Sequence, residues 1–296
     1  MAFKNVKKLP DFTGVAADAL ATADVPEQGE YFSNMLRCLD SAGEEVSVAN
    51  MKADITNLRG LINGETIIDA SAEFLLKLQN YYYAAQSASG DVNAVGQLPL
   101  NYARNFYKSS IEGDVFGLGM GDIDSFNLEV NCGAAAATAG HISKIENRGE
   151  RSEMSSAIGQ HVRIQKFPQN FGSTGEQEIT DLPREPNVGV LAYHISYDDT
   201  TTDLDEVTLI INSSELIKVT KQDIITLQEK SGRTPQFDAA GNSIFTLDFA
   251  LSNDLTGYLD MSGVADLRIR TKWSNAAPAN YTIYREAVFG LNPNRK

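Results

Sequence analysis

The sequence predicts an all-β protein made of two similar antiparallel barrels or sandwiches in tandem, with short helices in their connections. Three observations carry this. Apolar and polar residues alternate at period two through many short segments, which marks half-buried strands. Turn-forming residues punctuate these segments every ten or so positions. One set of segments also runs through the 296 residues twice, in the same order.

The clearest pair of copies is headed by Met120 and Met261, 141 residues apart. In LGMGDIDSFNLEVN, Phe126, Leu128 and Val130 alternate with polar residues, and in LDMSGVADLRIRTK, Leu267, Ile269 and Thr271 fall at the same steps. Each copy predicts a long strand, then a small-residue loop (CGAAAATAG or WSNAAPAN), then a further strand (HISKI or YTIYREAV). Earlier blocks repeat as well. DVPEQ at Asp24 answers DLPRE at Asp181, 157 residues on. Proline cannot donate to a sheet ladder and belongs at a strand start or edge, so strands are expected near Met35 to Leu39 and Val190 to Ile195.

RGLINGETII, ending at Ile68, lines up with TLIINSSELI, ending at Ile217, 149 residues on. A strand there meets a polar corner, Asn63-Gly64 or Asn212-Ser213-Ser214, that suits a turn or a helix N-cap. At the same offset FLLKLQ answers DIITLQ, segments that finish an amphipathic helix or begin a strand. LPLNYA, ending at Ala103, answers FTLDFA, ending at Ala250, at offset 147. The offsets shrink in order, and unrelated strands have no reason to stay collinear. The reading is therefore a tandem duplication whose drift sits in loops, where length changes cost little. The charged, Ser- and Gly-bearing stretch ENRGERSEMSSAIGQ between the copies reads as a linker, which sets a first domain at 1–147 and a second at 148–296.

Composition excludes several classes. A formal net charge of −14 and a pI near 4.7 argue against wrapping a nucleic-acid backbone. Cys38 and Cys132 are too few and too far apart for a disulfide scaffold or zinc site. No apolar run approaches the roughly 20 residues of a spanning helix, and the N-terminus lacks a signal-peptide core, so a soluble protein made in the cytoplasm is expected. The three histidines, His141, His161 and His194, show no HxH or HxxxH spacing, and neither a GxSxG nucleophile elbow nor a phosphate loop occurs. The glycines of FGLGMG lead toward a strand and read as turn geometry. No catalytic residue is expected.

Three clusters remain as candidate sites. Lys4, Lys7 and Lys8 precede any acidic residue, as a solvated terminus or a short basic arm for an anionic surface such as lipid headgroups. Tyr81, Tyr82 and Tyr83 form the most aromatic loop candidate. Neighbours on a strand point oppositely, so at least one is expected to be exposed or buried by another subunit. Asp198, Asp199, Asp203 and Asp205 lie in an acidic run read as a loop. Carboxylates there are ligands of the type Ca²⁺ takes, although the spacing is not that of an EF-hand, and a solvated acidic loop is the favoured reading.

The doubled order of features resembles the double jelly-roll major capsid proteins of tailless icosahedral double-stranded DNA phages, and most of all the corticovirus kind. The residues that carry the likeness are EITDLPREPNVGVLAYHIS (178–196), NSIFTLDFALSNDLTGYL (242–259) and ADLRIRTKWSNAAPANYTIYREAVFG (265–290). The resemblance implies two eight-stranded jelly rolls side by side and a homotrimer of pseudo-hexagonal outline. It also implies a shell tiled from such trimers, with penton and minor capsid or membrane proteins, over an internal lipid membrane that the Lys4, Lys7, Lys8 segment would face. The expected location is the virion capsid. The alternative is a pair of carbohydrate- or receptor-binding sandwiches, a spike or lectin, which wants exposed aromatic platforms in both copies.

Overall fold

The computed structural model describes residues 4–86, 93, 95–105, 107, 113–170, 174–200, 202–238, 241–254, 257–275 and 280–291. The chain divides into two compact units, Met1–Gln165 and Lys166–Lys296. The first is built from β1 (Lys4–Lys8), β2 (Leu20–Asp24), β3 (Glu30–Leu39), β4 (Ile55–Ile62), β5 (Glu65–Ala70), β6 (Gln97–Asn101), the two-residue β7 (Leu118–Gly119), β8 (Phe126–Cys132) and β9 (Lys144–Ser152). One sheet runs β1-β9-β3-β6, with β7 beside β3, and the other β5-β4-β8-β2.

The next strand, β10 (His161–Gln169), starts at the end of the first unit and runs on into the second. There follow β11 (Gly175–Ile179), β12 (Gly189–Asp198), β13 (Thr202–Ile211), β14 (Ser214–Thr220), β15 (Asn242–Asp248), the two-residue β16 (Leu259–Asp260), β17 (Leu267–Asn275) and β18 (Tyr281–Phe289). Their sheets run β10-β18-β12-β15, with β16 beside β12, and β11-β17-β13-β14. With the two-residue strands set aside, both units place their eight strands in the order 1-8-3-6 and 2-7-4-5. That is the jelly roll, and the chain carries it twice.

Period-two alternation fills each barrel. Phe126, Leu128 and Val130 are wholly buried on β8 while Asn127, Glu129 and Asn131 are not. In the second barrel Leu267, Ile269 and Thr271 take the same steps and are fully buried, and Leu267 and Ile269 join Tyr193, Leu204, Val207, Phe245 and Ile283 in one core. Each fully buried Leu, Ile, Val or Phe contributes roughly 1.5–3 kcal/mol, so this alternation is the main source of barrel stability. Trp273 belongs to the same core, edge-on to Tyr197 at 5.2 Å, and Phe289 packs against it.

Both polar corners are hairpin turns. Asn63 and Gly64 have φ 48° and 79°, and Asn212 and Ser213 have φ 49° and 66°. Two consecutive left-handed residues make the turn whose twist matches the flanking strands. The asparagine does the same work in each copy. Asn63 Oδ1 accepts from the Asp124 and Ser125 amides at 2.8 and 3.1 Å, and Asn212 Oδ1 from the Ala265 and Asp266 amides at 2.8 and 3.1 Å.

FLLKLQ and DIITLQ are helical. They lie in α2 (Ala72–Tyr83) and α3 (Lys221–Lys230), each following the fifth strand of its barrel; α1 (Val48–Asp54) precedes β4. Ser71 caps α2 through the Phe74 amide at 3.2 Å, and Thr220 caps α3 in a reciprocal box with Asp223. The caps decide between helix and strand where periodicity alone does not.

The expected boundary at residue 147 is corrected. Asn147 is fully buried in the middle of β9, where its Oδ1 accepts from Asn34 Nδ2 at 2.7 Å, and β9 continues to Ser152. Polar composition resembles a linker there because the strand carries ion-paired Lys144, Glu146 and Arg148 on its outer side and the buried Asn147 between them.

Candidate functional site

Lys4, Lys7 and Lys8 are not on an arm. They are on β1, the outermost strand of its sheet, antiparallel to β9 from Lys4 opposite Ser152 to Lys8 opposite Arg148. Lys4 binds Asp114 and lies 4.1 Å over the Phe32 ring, Lys7 binds Glu153, and Lys8 reaches Asp11 at 3.5 Å and Glu146 at 3.9 Å. Val6, between them, is 69% exposed. It opens a groove of about 320 Å³ on the sheet's outer face, shared with Ser33, Met35, Arg37, Gln97, Arg148 and Glu150. Beside the groove Glu146 collects Lys144 at 2.8 Å, Arg37 and Arg148 at 3.7 Å, and Lys8. The hydrogen bond from Lys144, with the other cations behind it, holds the Glu146 carboxyl below the ordinary range.

The second barrel's β11-β17-β13-β14 sheet presents a charged outer face. Arg270 joins Glu178 on β11 at 2.8 Å and Glu215 on β14 at 3.3 Å, while Arg268 holds Asp266 at 2.7 Å and Lys218 reaches Glu206 at 3.2 Å. The hydrogen bond from Arg270 depresses the Glu178 carboxyl. Exposed pairs of this kind are screened by solvent, so they set the polarity of this face more than its stability.

The loop assignment of the tyrosines is corrected, and Tyr83 is half-buried. Tyr81, Tyr82 and Tyr83 form the last turn of α2, not a loop, and Tyr81 and Tyr82 are buried within the chain, ring centroids 5.0 Å apart. A helix turn places consecutive residues about 100° apart, which lets two neighbours share one buried side.

The acidic run is also not a loop. Asp198 ends β12, and Asp203 and Asp205 lie on β13. Asp198 accepts from the Thr200 amide and hydroxyl at 3.0 and 2.7 Å, and Asp205 from the Ser274 hydroxyl at 2.8 Å. Asp199 and Asp203 share the Lys221 ammonium at 3.1 and 3.2 Å. A lysine thus supplies the cation these carboxylates face. Among the described residues no group of three or more His, Cys, Asp or Glu side chains gathers as a metal site. The described residues also contain no helix long and apolar enough to cross a membrane.

The histidines have structural partners. His141 Nδ1 sits 2.8 Å from Asp54, which also receives the Ile142 amide at 2.8 Å. His194 is buried between Thr246 at 3.0 Å and Glu286 at 3.3 Å. Sequence reasoning missed the fully buried Arg285. Its guanidinium reaches Glu185 at 2.6 Å and the Pro183 carbonyl at 3.1 Å, beside the rings of Phe167 and Phe289. An Arg-Glu pair inside the apolar run YTIYREAV was the available signal. Cys38 and Cys132 are free and buried, and burial pushes the Cys38 thiol up to about 12.

Two family models match the sequence. The viral coat protein P2 N-terminal domain covers residues 6–149, and the viral coat protein P2 C-terminal domain covers residues 162–290. No curated protein matches. By structure the chain is similar to the major capsid protein P2 of bacteriophage PM2, with TM-score 0.79 and 18% identity over 99% of each chain. It is also similar to a chain of Sulfolobus turreted icosahedral virus, with TM-score 0.68 and 13% identity over 97% of this chain and 91% of that one. A third likeness is to the PBCV-1 virus capsid, with TM-score 0.59 and 8% identity over 98% and 95%. At such identities these likenesses speak to the fold.

Proposed function

Because the chain belongs to the viral coat protein P2 family, matched by models of both its domains, we propose that it builds an icosahedral shell as homotrimers of pseudo-hexagonal outline over an internal lipid membrane. It is a structural protein of the virion capsid and assembles there with copies of itself. The observation that supports the trimer is the same strand order used twice in one polypeptide. Three chains would bring six similar lobes, which can meet neighbours through similar edges as a hexagonal tile does.

Assembly in this reading needs no catalysis. Apolar strand faces fold each barrel, and charged outer faces such as the Arg268, Arg270 and Glu178 ladder meet neighbours reversibly. The net charge of −14 keeps free trimers dispersed and makes their association depend on salt and divalent cations. Lipid contact is not assigned to Lys4, Lys7 and Lys8, which pair with the carboxylates of Asp114, Glu153 and Asp11 along the outer edge of the sheet. Penton and minor capsid or membrane proteins would complete the shell. The spike or lectin alternative loses its platform with the burial of Tyr81 and Tyr82.

The test is the solution mass of the full chain by light scattering at neutral pH. Three times the 32.2 kDa chain is expected. A monomer that binds glycans would replace this reading with the lectin one.

A further inference from the structure

The two barrels share one strand order but differ at one edge. In the first, β5 is the outer strand of its sheet, and the start of β10 lies parallel beside it, Ile164 opposite Ile68. Ile68 and Ile164 are 3% and 4% exposed. Next to Ile68, Ile67 is the extra residue of a bulge, because Gly60 pairs Ile68 and Leu61 pairs Thr66. Ile158, His161 and Arg163 line a cavity with it, Arg163 holds Glu65 at 2.8 Å, and Ile67 is 1% exposed.

In the second barrel the strand at the same place is β14. Its bulge falls at the same step: Leu209 pairs Ile217 and Ile210 pairs Glu215, leaving Leu216 as the extra residue, 149 positions after Ile67. Here Leu216 is 56% exposed, and among the described residues no strand lies beyond β14. The counterpart of the β10 start is also open. Lys8-Leu9-Pro10 repeats as Lys166-Phe167-Pro168, an offset of 158 that makes Val6 the counterpart of Ile164. Val6 is 69% exposed, and among the described residues no strand lies outside β1.

One junction therefore occurs filled, and the same junction occurs as two separate halves at the outer edges of one polypeptide. We propose that β1 of a second copy docks parallel along β14, with Val6 opposite Ile217 and beside Leu216. Charges on the two edges are already paired within each chain, Lys4 with Asp114, Lys7 with Glu153 and Glu215 with Arg270, so the fit is carried by the repeated register and by the exposed Val6 and Leu216. Pairing by an unused strand edge satisfies backbone groups that would otherwise face water and removes an aggregation-prone edge. The contact joins unlike surfaces, so it propagates head to tail and must close into a ring or continue as a filament. Closure at three chains would give three such junctions between chains. This assignment rests on the trimer reading above and names the surface that makes it.

The full chain carrying both Val6→Cys and Leu216→Cys, treated with a short bis-maleimide, tests it, since the native Cys38 and Cys132 are buried. Covalent dimers and trimers are expected from the double variant and from neither single one. Val6→Asp, on an exposed side chain, is expected to keep the circular dichroism of the wild type and to raise the concentration at which trimers dissociate at least tenfold. A wild-type chain that stays monomeric overturns both readings. A wild-type trimer whose double-cysteine variant does not crosslink, and whose Val6→Asp variant associates as before, overturns the edge assignment alone.

Discussion

Glu146 shows how single side chains in this protein combine polarity with order. It is polar, lies in a stretch that composition marks as a linker, and is fixed on β9 by Lys144, Arg37, Arg148 and Lys8. Glu146, Glu153 and Glu178 all have carboxyls held below the ordinary range, chiefly by hydrogen bonds from Lys144, Lys7 and Arg270. A group depressed in the folded state contributes stability that is present above its unfolded value, ~4.3 for Glu, and is lost as pH falls through the folded one. Glu30 opposes them, since burial raises its carboxyl. Asp198, Asp223 and Asp266 are depressed as well, so the melting temperature is expected to be flat near neutrality and to fall below about pH 4, as a series of thermal scans would show. Arg285 is the other decisive side chain. Arg285→Ala removes a fully buried side chain packed beside Phe167 and Phe289, leaves a cavity, and is expected to cost about 2–5 kcal/mol in urea unfolding. Arg285→Lys should recover only part of that, because an ammonium lacks the planar fork that reaches both Glu185 and the Pro183 carbonyl.

Elements repeat more faithfully than letters do. The hairpin corners Asn63-Gly64 and Asn212-Ser213 use the same asparagine contacts, but the second asks a serine to hold φ 66°. Ser213→Gly copies the first corner and is expected to stabilise the chain by up to about 1 kcal/mol, read as a higher melting temperature. The strands at these corners were legible because a half-buried strand writes its pleat directly as alternation, as in Phe126, Leu128 and Val130. The two helices were half legible: FLLKLQ and DIITLQ fit either element, and the decision lay in Ser71 and Thr220, one residue outside each helix. The tyrosine and aspartate clusters were misplaced for a related reason. Runs of like residues suggest a loop, whereas Tyr81 and Tyr82 close a helix and Asp203 and Asp205 belong to a strand whose cation, Lys221, is distant in sequence. Edge exposure at Val6 and Leu216 was not legible at all, since it depends on which strand lies beside each edge.

At the scale of the molecule, the duplication explains more than the architecture. It supplies two lobes of one strand order and leaves β1 and β14 as outermost strands of their sheets among the described residues. Copies of one chain can then use surfaces already tested by the fold itself. The most direct measurement is electron microscopy of the isolated oligomer with particle averaging and no imposed symmetry. Six lobes of similar size around a threefold axis, two from each chain, are the predicted result. An oligomer with an even number of chains related by a twofold axis, or particles of two lobes only, would contradict it.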